Sequence, residues 1–419
     1  MNRLHEDEPL IQRLANTFLL SWPSIHMGMH VSRIQEHSER TTAEFWVRTY
    51  TDLGEPETVL RGERYNLVAP RAKKDMARRI ADRFAQDSYF WETVVESAFE
   101  KILEEFRSGE PVQNITGSRT RLQNKFRVYP LLLEQQPNVI FGKGGSGKSL
   151  IATYISVVVD TPPLHTPVFR SEGGSVLYLD WETDVIEFQN RVAAIKSGLD
   201  IPPTVGTSIK YLRMTQPLET EIDRLQSIVM DEKVNLIVVD SMEMAIQGNS
   251  NESMPVSGLY GALRTLGTTS LIIDHLNKSG EWVGNEYKRN FARNAWRIAA
   301  NQIPNTDLLT IGFFHEKWNN TKRIPAFAVG LTFTSDEADE LDSVTVKRGD
   351  IADIEEFQDR RSLSERLYDE LKVGPQPLTE LAQILDKDEA SIRTTLHRNK
   401  NRFVRIPSGD WALLQVGSN

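Results

Sequence analysis

The sequence contains no cysteine, which removes disulfides and thiolate metal ligands from consideration. Histidine is sparse and scattered, eight residues in 419, so no zinc-binding cluster suggests itself. No apolar run approaches the roughly 20 residues that a membrane helix requires. The first thirty residues mix acids, bases and apolar positions, without the basic start, apolar middle and small-residue cleavage site of a secretory signal. A cytoplasmic chain with no membrane partner is expected. Positive charge is also in short supply. The formal net charge of -9 argues against a protein coated for indiscriminate nucleic-acid binding. Any DNA contact must then be local, because screening confines each charge to about 10 Å.

At 419 residues the chain is longer than one core usually grows, and polar stretches near Asn124 and Arg360 divide it into three segments. In residues 1–124, Leu10 to Leu20 reads as a helix and Ala43 to Tyr50 as a strand. Arg71 to Phe84 and Phe90 to Phe106 repeat apolar residues at helical spacing, giving a small α+β domain of unassigned role. Its run Arg71, Lys73, Lys74, Arg78, Arg79 suits either phosphate contact or a solvated helix face. Residues 125–355 alternate strand, loop and helix, the pattern of an α/β domain with a mostly parallel sheet and crossover helices. Strands are expected ending at Val139–Phe141 and over Val176–Asp180, Leu236–Asp240 and Ser270–Asp274. The later runs Leu308–Phe314, Ala326–Phe333 and Ser343–Val346 widen the sheet, with antiparallel members. In residues 360–417, helices Leu363–Leu371, Leu378–Leu385 and Glu389–His397 precede a hairpin, Phe403–Ile406 and Trp411–Leu414. Three helices and a hairpin read as a winged helix.

The chemistry concentrates in Gly142-Lys143-Gly144-Gly145-Ser146-Gly147-Lys148-Ser149, which satisfies the P-loop pattern, follows an apolar strand and opens a helical stretch at Leu150. Glycines let the backbone turn its N–H groups around phosphate oxygens, and the helix adds its positive end. Lys148 reaches the outer phosphates and Ser149 ligates magnesium, so ATP and Mg2+ are the expected cofactors. Asp240 ends the strand Leu236-Ile237-Val238-Val239 and has the form of a Walker B acid beside that metal. Glu182 lies just past a strand end and suits polarising a water, with Asp180 and Asp184 as rivals. His275 follows another strand at the edge where open α/β sheets bind ligands, fitting either a structural or a phosphate-sensing role.

Taken together these residues resemble the RecA-like ATPases, within them the branch typified by plasmid RepA hexameric helicases, over roughly Phe126 to Val346. The resemblance implies a RecA-like P-loop core in which the glutamate of Leu-Tyr-Leu-Asp-Trp-Glu, Glu182, activates the attacking water. It also implies that His275, in Ile-Asp-His-Leu-Asn-Lys, links phosphate state to DNA loops. Gly284 to Trp296 is similar to the family's glycine-to-arginine stretch, placing Arg293 near a subunit boundary, although an ordinary amphipathic helix would read alike. A basic finger reaching a neighbour's ATP falls on Lys317 first and Arg323 second. Asn319 and Asn320 depart from the commoner Lys-x-Arg-Gly arrangement. Such a finger implies a homo-oligomer, with the hexamer as the form typical of the branch. Loops 247–257 and 279–290 are the implied single-strand sites, with Lys278, Lys288 and Arg289 for phosphates and Trp282 for stacking.

Within the last segment, Arg393, Arg398, Lys400, Arg402 and Arg405 face only Asp388 and Glu389 between Asp388 and Arg405, a local excess suited to duplex DNA. Thr394, Thr395 and His397 are then expected near base edges. The expected activity is a DNA-dependent ATPase, a replicative-type helicase or translocase of a mobile element. The alternative is an ATP-regulated DNA-binding switch or loader that unwinds nothing.

Overall fold

The computed structural model describes residues 8–14, 16–38, 40–50, 56–83, 88–109, 112, 114–115, 117, 126–161, 168–249, 252–276, 286–302, 306–318, 322–337, 340–351, 354 and 362–414. The first segment is an antiparallel meander, β1 (Leu10–Leu14), β2 (Thr17–Trp22), β3 (Met27–His37), β4 (Arg40–Tyr50) and β5 (Pro56–Asn66), followed by helices α1 (Pro70–Ala81) and α2 (Ser88–Ser108). The helix expected over Leu10–Leu20 is instead the β1–β2 hairpin. Phe18, Leu20 and Trp22 alternate into a core with Phe45, Trp91 and Phe99, a period of two that helical spacing had masked. On α1, Lys73 pairs with Glu96 and Glu100, Arg78 with Asp75 and Arg79 with Glu63, so three of the five basic residues serve this unit's own ion pairs.

The middle segment runs through β6 (Phe126–Tyr129), β7 (Leu132–Leu133), β8 (Pro137–Gly142), α3 (Lys148–Asp160), β9 (Arg170–Ser171), β10 (Ser175–Asp180), α4 (Val185–Gly198) and β11 (Ile209–Arg213). It continues through α5 (Ile222–Asp231), β12 (Val234–Asp240), α6 (Met242–Ala245), α7 (Ser253–Thr265), β13 (Thr269–His275), α8 (Glu286–Phe291), β14 (Asn294–Gln302), β15 (Leu308–Trp318), β16 (Phe327–Ser335) and β17 (Leu341–Gly349). Nine strands form one sheet in the order β11-β10-β12-β13-β8-β14-β15-β16-β17. The first six are parallel and the last three antiparallel.

Both faces of the central strands are covered, which is why they read as continuous apolar runs rather than alternations. Ile140, Tyr178, Leu236, Val238 and Ile273 meet α3 and α4 on one face, while Val139, Leu179, Ile237, Val239 and Ile272 meet α5 and α7 on the other. The sheet curls until the end of α4 reaches its opposite edge: a Cβ on Gly198 would lie 2.1 Å from the Val344 carbonyl oxygen of β17.

One alternative reading falls away. Gly284–Trp296 is not one helix, because its described part divides into α8 and the start of β14. Strand β14 lies beside the P-loop strand β8, held by Asn294 Nδ2 donating to Asn138 Oδ1 at 2.8 Å and to the Leu131 carbonyl at 2.6 Å. Strand β10, which precedes Glu182, is separated from the P-loop strand β8 by β12 and β13.

The first segment grips α5. The Thr17 hydroxyl donates to Gln226 Oε1 at 2.6 Å in a buried contact, His30 Nε2 lies 3.0 Å from the Ser227 hydroxyl, and Arg33 pairs with Asp223 at 3.6 Å. At the other end of the chain, helices Leu363–Glu370, Leu378–Leu385 and Glu389–Arg398 and the hairpin Phe403–Arg405 with Trp411–Leu413 enclose Leu367, Leu381, Ile392, Leu396, Phe403 and Trp411. Ser362 and Glu365 close a capping box on the first of these helices, and Asp388 caps the third, which explains where each begins. No helix among the described residues is long and apolar enough to cross a membrane.

Candidate functional site

The loop between β8 and α3 is shaped by its glycines. Gly145 and Gly147 take φ of 73° and 78°, a left-handed region that side chains avoid. Space is the second constraint: a Cβ on Gly142 would fall 2.7 Å from the Ile298 carbonyl oxygen, and one on Gly147 would fall 2.8 Å from Ile311 Cδ1. Lys143, Gly144 and Gly145 lie exposed at the mouth, while Ser146 and Lys148 are buried and Leu150 anchors the first turn of α3 against the core. Ser146 Oγ is buried without a hydrogen-bond partner. Such a group at a helix N-terminus suits an anionic oxygen arriving from outside.

Lys148 Nζ donates to the carbonyls of Gly142 at 3.0 Å and Lys143 at 2.8 Å, so its cation folds back over the loop. Burial lowers its pKa, opposed by the negative charges of Asp240, Asp274 and Glu182. Asp240, at the end of β12, is almost wholly buried. Its Oδ2 accepts from the Tyr178 hydroxyl at 2.7 Å, and its Oδ1 has no partner. Burial raises the Asp240 pKa while Tyr178 opposes the rise, and Ser149 faces the same carboxylate. A buried carboxylate oxygen left bare beside a serine hydroxyl is a donor set that fits a hard divalent cation such as Mg2+.

The three acids after β10 have separate tasks. Asp180 Oδ1 accepts from the backbone N–H of Glu182 at 2.8 Å and of Thr183 at 3.0 Å, and the Tyr211 hydroxyl reaches its Oδ2 at 3.3 Å. Asp184 caps α4 through Ile186 N at 2.8 Å and Glu187 N at 2.9 Å. Both rivals are occupied in building the turn, and Glu182 is the carboxylate the turn presents. Its Oε1 accepts from the Ser241 hydroxyl at 2.5 Å and lies 3.7 Å from His275 Nε2, so ends of β10, β12 and β13 converge there. The His275 ring above all, then Ser241, holds Glu182 down to about 2 against partial burial, keeping it ionised. Ser241 and Tyr178 were missed in sequence. The only signal for either was its place beside or within a strand already read as functional.

Arg293, Lys317 and Arg323 lie apart from this cluster, at the far end of β14 and β15. Lys317 Nζ donates to the carbonyls of Arg289 at 2.6 Å and Asn290 at 3.0 Å, closing the end of α8. Burial, then Arg293 and Arg289, lowers its pKa, so these cations are neighbours, and Arg323 is exposed nearby. His315 ties the start of β14 to the segment after β15: its Nδ1 accepts from Ile324 N at 2.9 Å and its Nε2 lies 2.8 Å from Asn294 Oδ1. Accepting at Nδ1 assigns the proton to Nε2, and burial lowers the ring's pKa to about 4. Lys288, expected on a DNA loop, is instead fully buried, its Nζ 3.1 Å from Asp274 Oδ1. Its charge is used inside the fold. Lys278, Trp282, Asn319 and Asn320 fall outside the described residues, as do parts of both loops.

In the last segment Arg393 lies 3.8 Å from Glu389, Arg402 sits over the Tyr368 ring, and Arg405 Nε donates to the Gly409 carbonyl at 3.0 Å. Thr394 and Thr395 bond back to Ala390 and Ser391, and His397 packs edge-on against Trp411.

A glycine-built anion cradle on a parallel sheet, with a buried lysine, a strand-end aspartate and a second strand-end acid, is the arrangement of a P-loop nucleotide-binding core. Comparison with family models supports the class: residues 108–281 match AAA_25, an AAA domain. Among solved structures, a KaiC-like protein from the hyperthermophilic archaeon Pyrococcus horikoshii aligns at 12% identity over 56% of this chain and 99% of its own, with a TM-score of 0.36. Similarity at that level does not define the fold. No curated protein matches the sequence.

Proposed function

We propose that the protein is an oligomeric, DNA-dependent ATPase that moves along or remodels DNA, a replicative-type helicase or translocase. The observation that carries this is the meeting of Glu182, Ser241 and His275 beside Lys148 at the ends of separate strands. An ionised carboxylate held there can orient a water towards the outer phosphate, and His275 can pass the state of that phosphate to the loop after β13. Lys148, Ser149 and Asp240 are the residues to hold MgATP, the metal supplying charge neutralisation on the phosphates. The exposed cations Arg293 and Arg323, with Lys317 if it releases α8, are candidates for a neighbour's nucleotide, as a ring would require. The three helices and hairpin of the last segment, read as a winged helix, are the candidate duplex-binding module through Arg398, Lys400 and Arg402.

Two observations favour the second reading. Lys317 is engaged within its own chain and Lys288 is buried, which suits an ATP-regulated switch or loader that turns over slowly. Steady-state ATP hydrolysis with and without single-stranded DNA, across protein concentration and beside native mass, separates the two. Stimulation by DNA that rises with assembly supports the motor. Slow, DNA-insensitive turnover by a monomer or dimer refutes it.

A further inference from the structure

The pairing of β10 with β12 sets Tyr178 opposite Val238 and Asp180 opposite Asp240. Side chains alternate along a strand, so Tyr178, Val238 and Asp240 share the face that α3 covers, with Tyr178 one diagonal step from the aspartate. Its ring has no exposed surface. It is wedged against Phe188, with centroids 4.5 Å apart, and lies parallel to Tyr211 at 6.5 Å. A ring so held cannot follow a rotating carboxylate. Its hydroxyl is a donor at a set point, 2.7 Å from Asp240 Oδ2.

The carboxylate is thereby made asymmetric. One oxygen is satisfied by a rigid phenol, and the other is buried with no hydrogen-bond partner, while the Ser149 hydroxyl at the end of the phosphate loop faces the same carboxylate. Leaving a buried acceptor unpaired is unfavourable, so an arrangement that bares one oxygen while pinning the other presupposes something to face the bare one. We infer that Tyr178 is the positioning residue of the metal-facing acid, its hydroxyl holding Oδ2 so that Oδ1 stays aimed at the magnesium of a bound nucleotide. The inference rests on the reading of Asp240 proposed above. It assigns Tyr178 no contact with nucleotide.

The test is the Mg2+ dependence of nucleotide binding by the full-length protein, read with a fluorescent ATP analogue titrated in EDTA and at increasing Mg2+. Tyr178→Phe should leave Mg2+-free affinity within about twofold of the parent and raise the half-saturating Mg2+ by about tenfold or more, the usual effect of removing an outer-shell hydrogen bond to a metal ligand. Tyr211→Phe, which disturbs the same ring cluster but a hydroxyl bonded to Asp180 and to the Thr183 carbonyl, should leave it unchanged. An unshifted Mg2+ midpoint in Tyr178→Phe, or an equal loss in EDTA and in Mg2+, overturns the inference. If Asp240→Asn also leaves the midpoint in place, the reading of Asp240 itself has failed. In a second variant carrying meta-fluorotyrosine at 178, which keeps the hydroxyl, the fluorine resonance should move when Mg2+ joins the nucleotide-bound protein. A resonance that stays still counts against the inference even if the phenylalanine variant does not fold.

Discussion

Gly198→Ala is expected to destabilise the protein although it adds a methyl group at a helix end, where alanine is normally the better residue. The last turn of α4 lies directly on β17, and the new Cβ would sit 2.1 Å from the Val344 carbonyl oxygen, 2.4 Å from its carbon and 2.9 Å from Thr345 N. These are backbone atoms of a paired strand and cannot rotate away. Restoring ordinary contact requires the helix to retreat by more than about 1 Å. Overpacking of this kind costs about 1–3 kcal/mol, while replacing glycine in a helix returns at most about 1 kcal/mol, so a net loss of about 1–2 kcal/mol is expected. Gly261, in the middle of α7, provides the opposite case: nothing lies within 4 Å of its added Cβ, and Gly261→Ala should stabilise by about 0.5–1 kcal/mol. Urea unfolding followed by circular dichroism reads both. Equal stability of Gly198→Ala and the parent, or the same sign of change in the two variants, would refute the account of how α4 meets the far edge of the sheet.

Lys148→Ala should weaken ATP binding by about ten- to a hundredfold in calorimetry, with the unfolding midpoint little changed, since without nucleotide the side chain only caps two loop carbonyls. Undiminished affinity would remove the phosphate site from this loop. Glu182→Gln should cut turnover by about 10²–10⁴-fold while nucleotide affinity holds, because the carboxylate is assigned to water and not to phosphate. His315 is held neutral, with a folded pKa of about 4 below the ordinary value of about 6.5. The folded state thus binds fewer protons there. Its contribution to stability, on the order of 3 kcal/mol, is fully present above about pH 6.5 and is lost as pH falls through about 4. An NMR titration placing that ring near its ordinary value would contradict the buried, singly protonated assignment. Tyr154→Phe removes a buried hydroxyl that has no partner, and thermal unfolding should show unchanged or slightly raised stability.

What was legible in the sequence is what depends on local backbone chemistry. The phosphate loop announces itself because left-handed turns and close approach demand glycine at Gly142, Gly145 and Gly147, and the strand at Leu236–Asp240 because burial on both faces demands an unbroken apolar run. What was not legible depends on partners distant in the chain. Lys288 looks like any surface cation until β13 brings Asp274 to it. Asp180, Glu182 and Asp184 are equivalent as letters and are told apart only by which backbone N–H groups the two aspartates accept. Residues 10–20 carry apolar spacings that satisfy a helix and a hairpin alike. The pairing partner β3, which accepts Phe18 and Leu20 in alternation, decides between them.

The walls of the phosphate cradle come from late in the chain. Ile298 on β14 and Ile311 on β15 set how closely Gly142 and Gly147 can be approached, and both lie beyond residue 281, where the match to an AAA domain ends. The recognised segment is therefore not the folding unit. A fragment stopping there would keep Lys148, Glu182, Asp240 and His275, yet its P-loop strand would become an open edge. Helices α3 and α4 would lose Phe313, Val329, Leu331, Val344 and Val346 from the core they share. Evolutionary recognition and physical autonomy diverge in this protein, and the catalytic inventory of a fragment is no guide to whether it can hold a nucleotide.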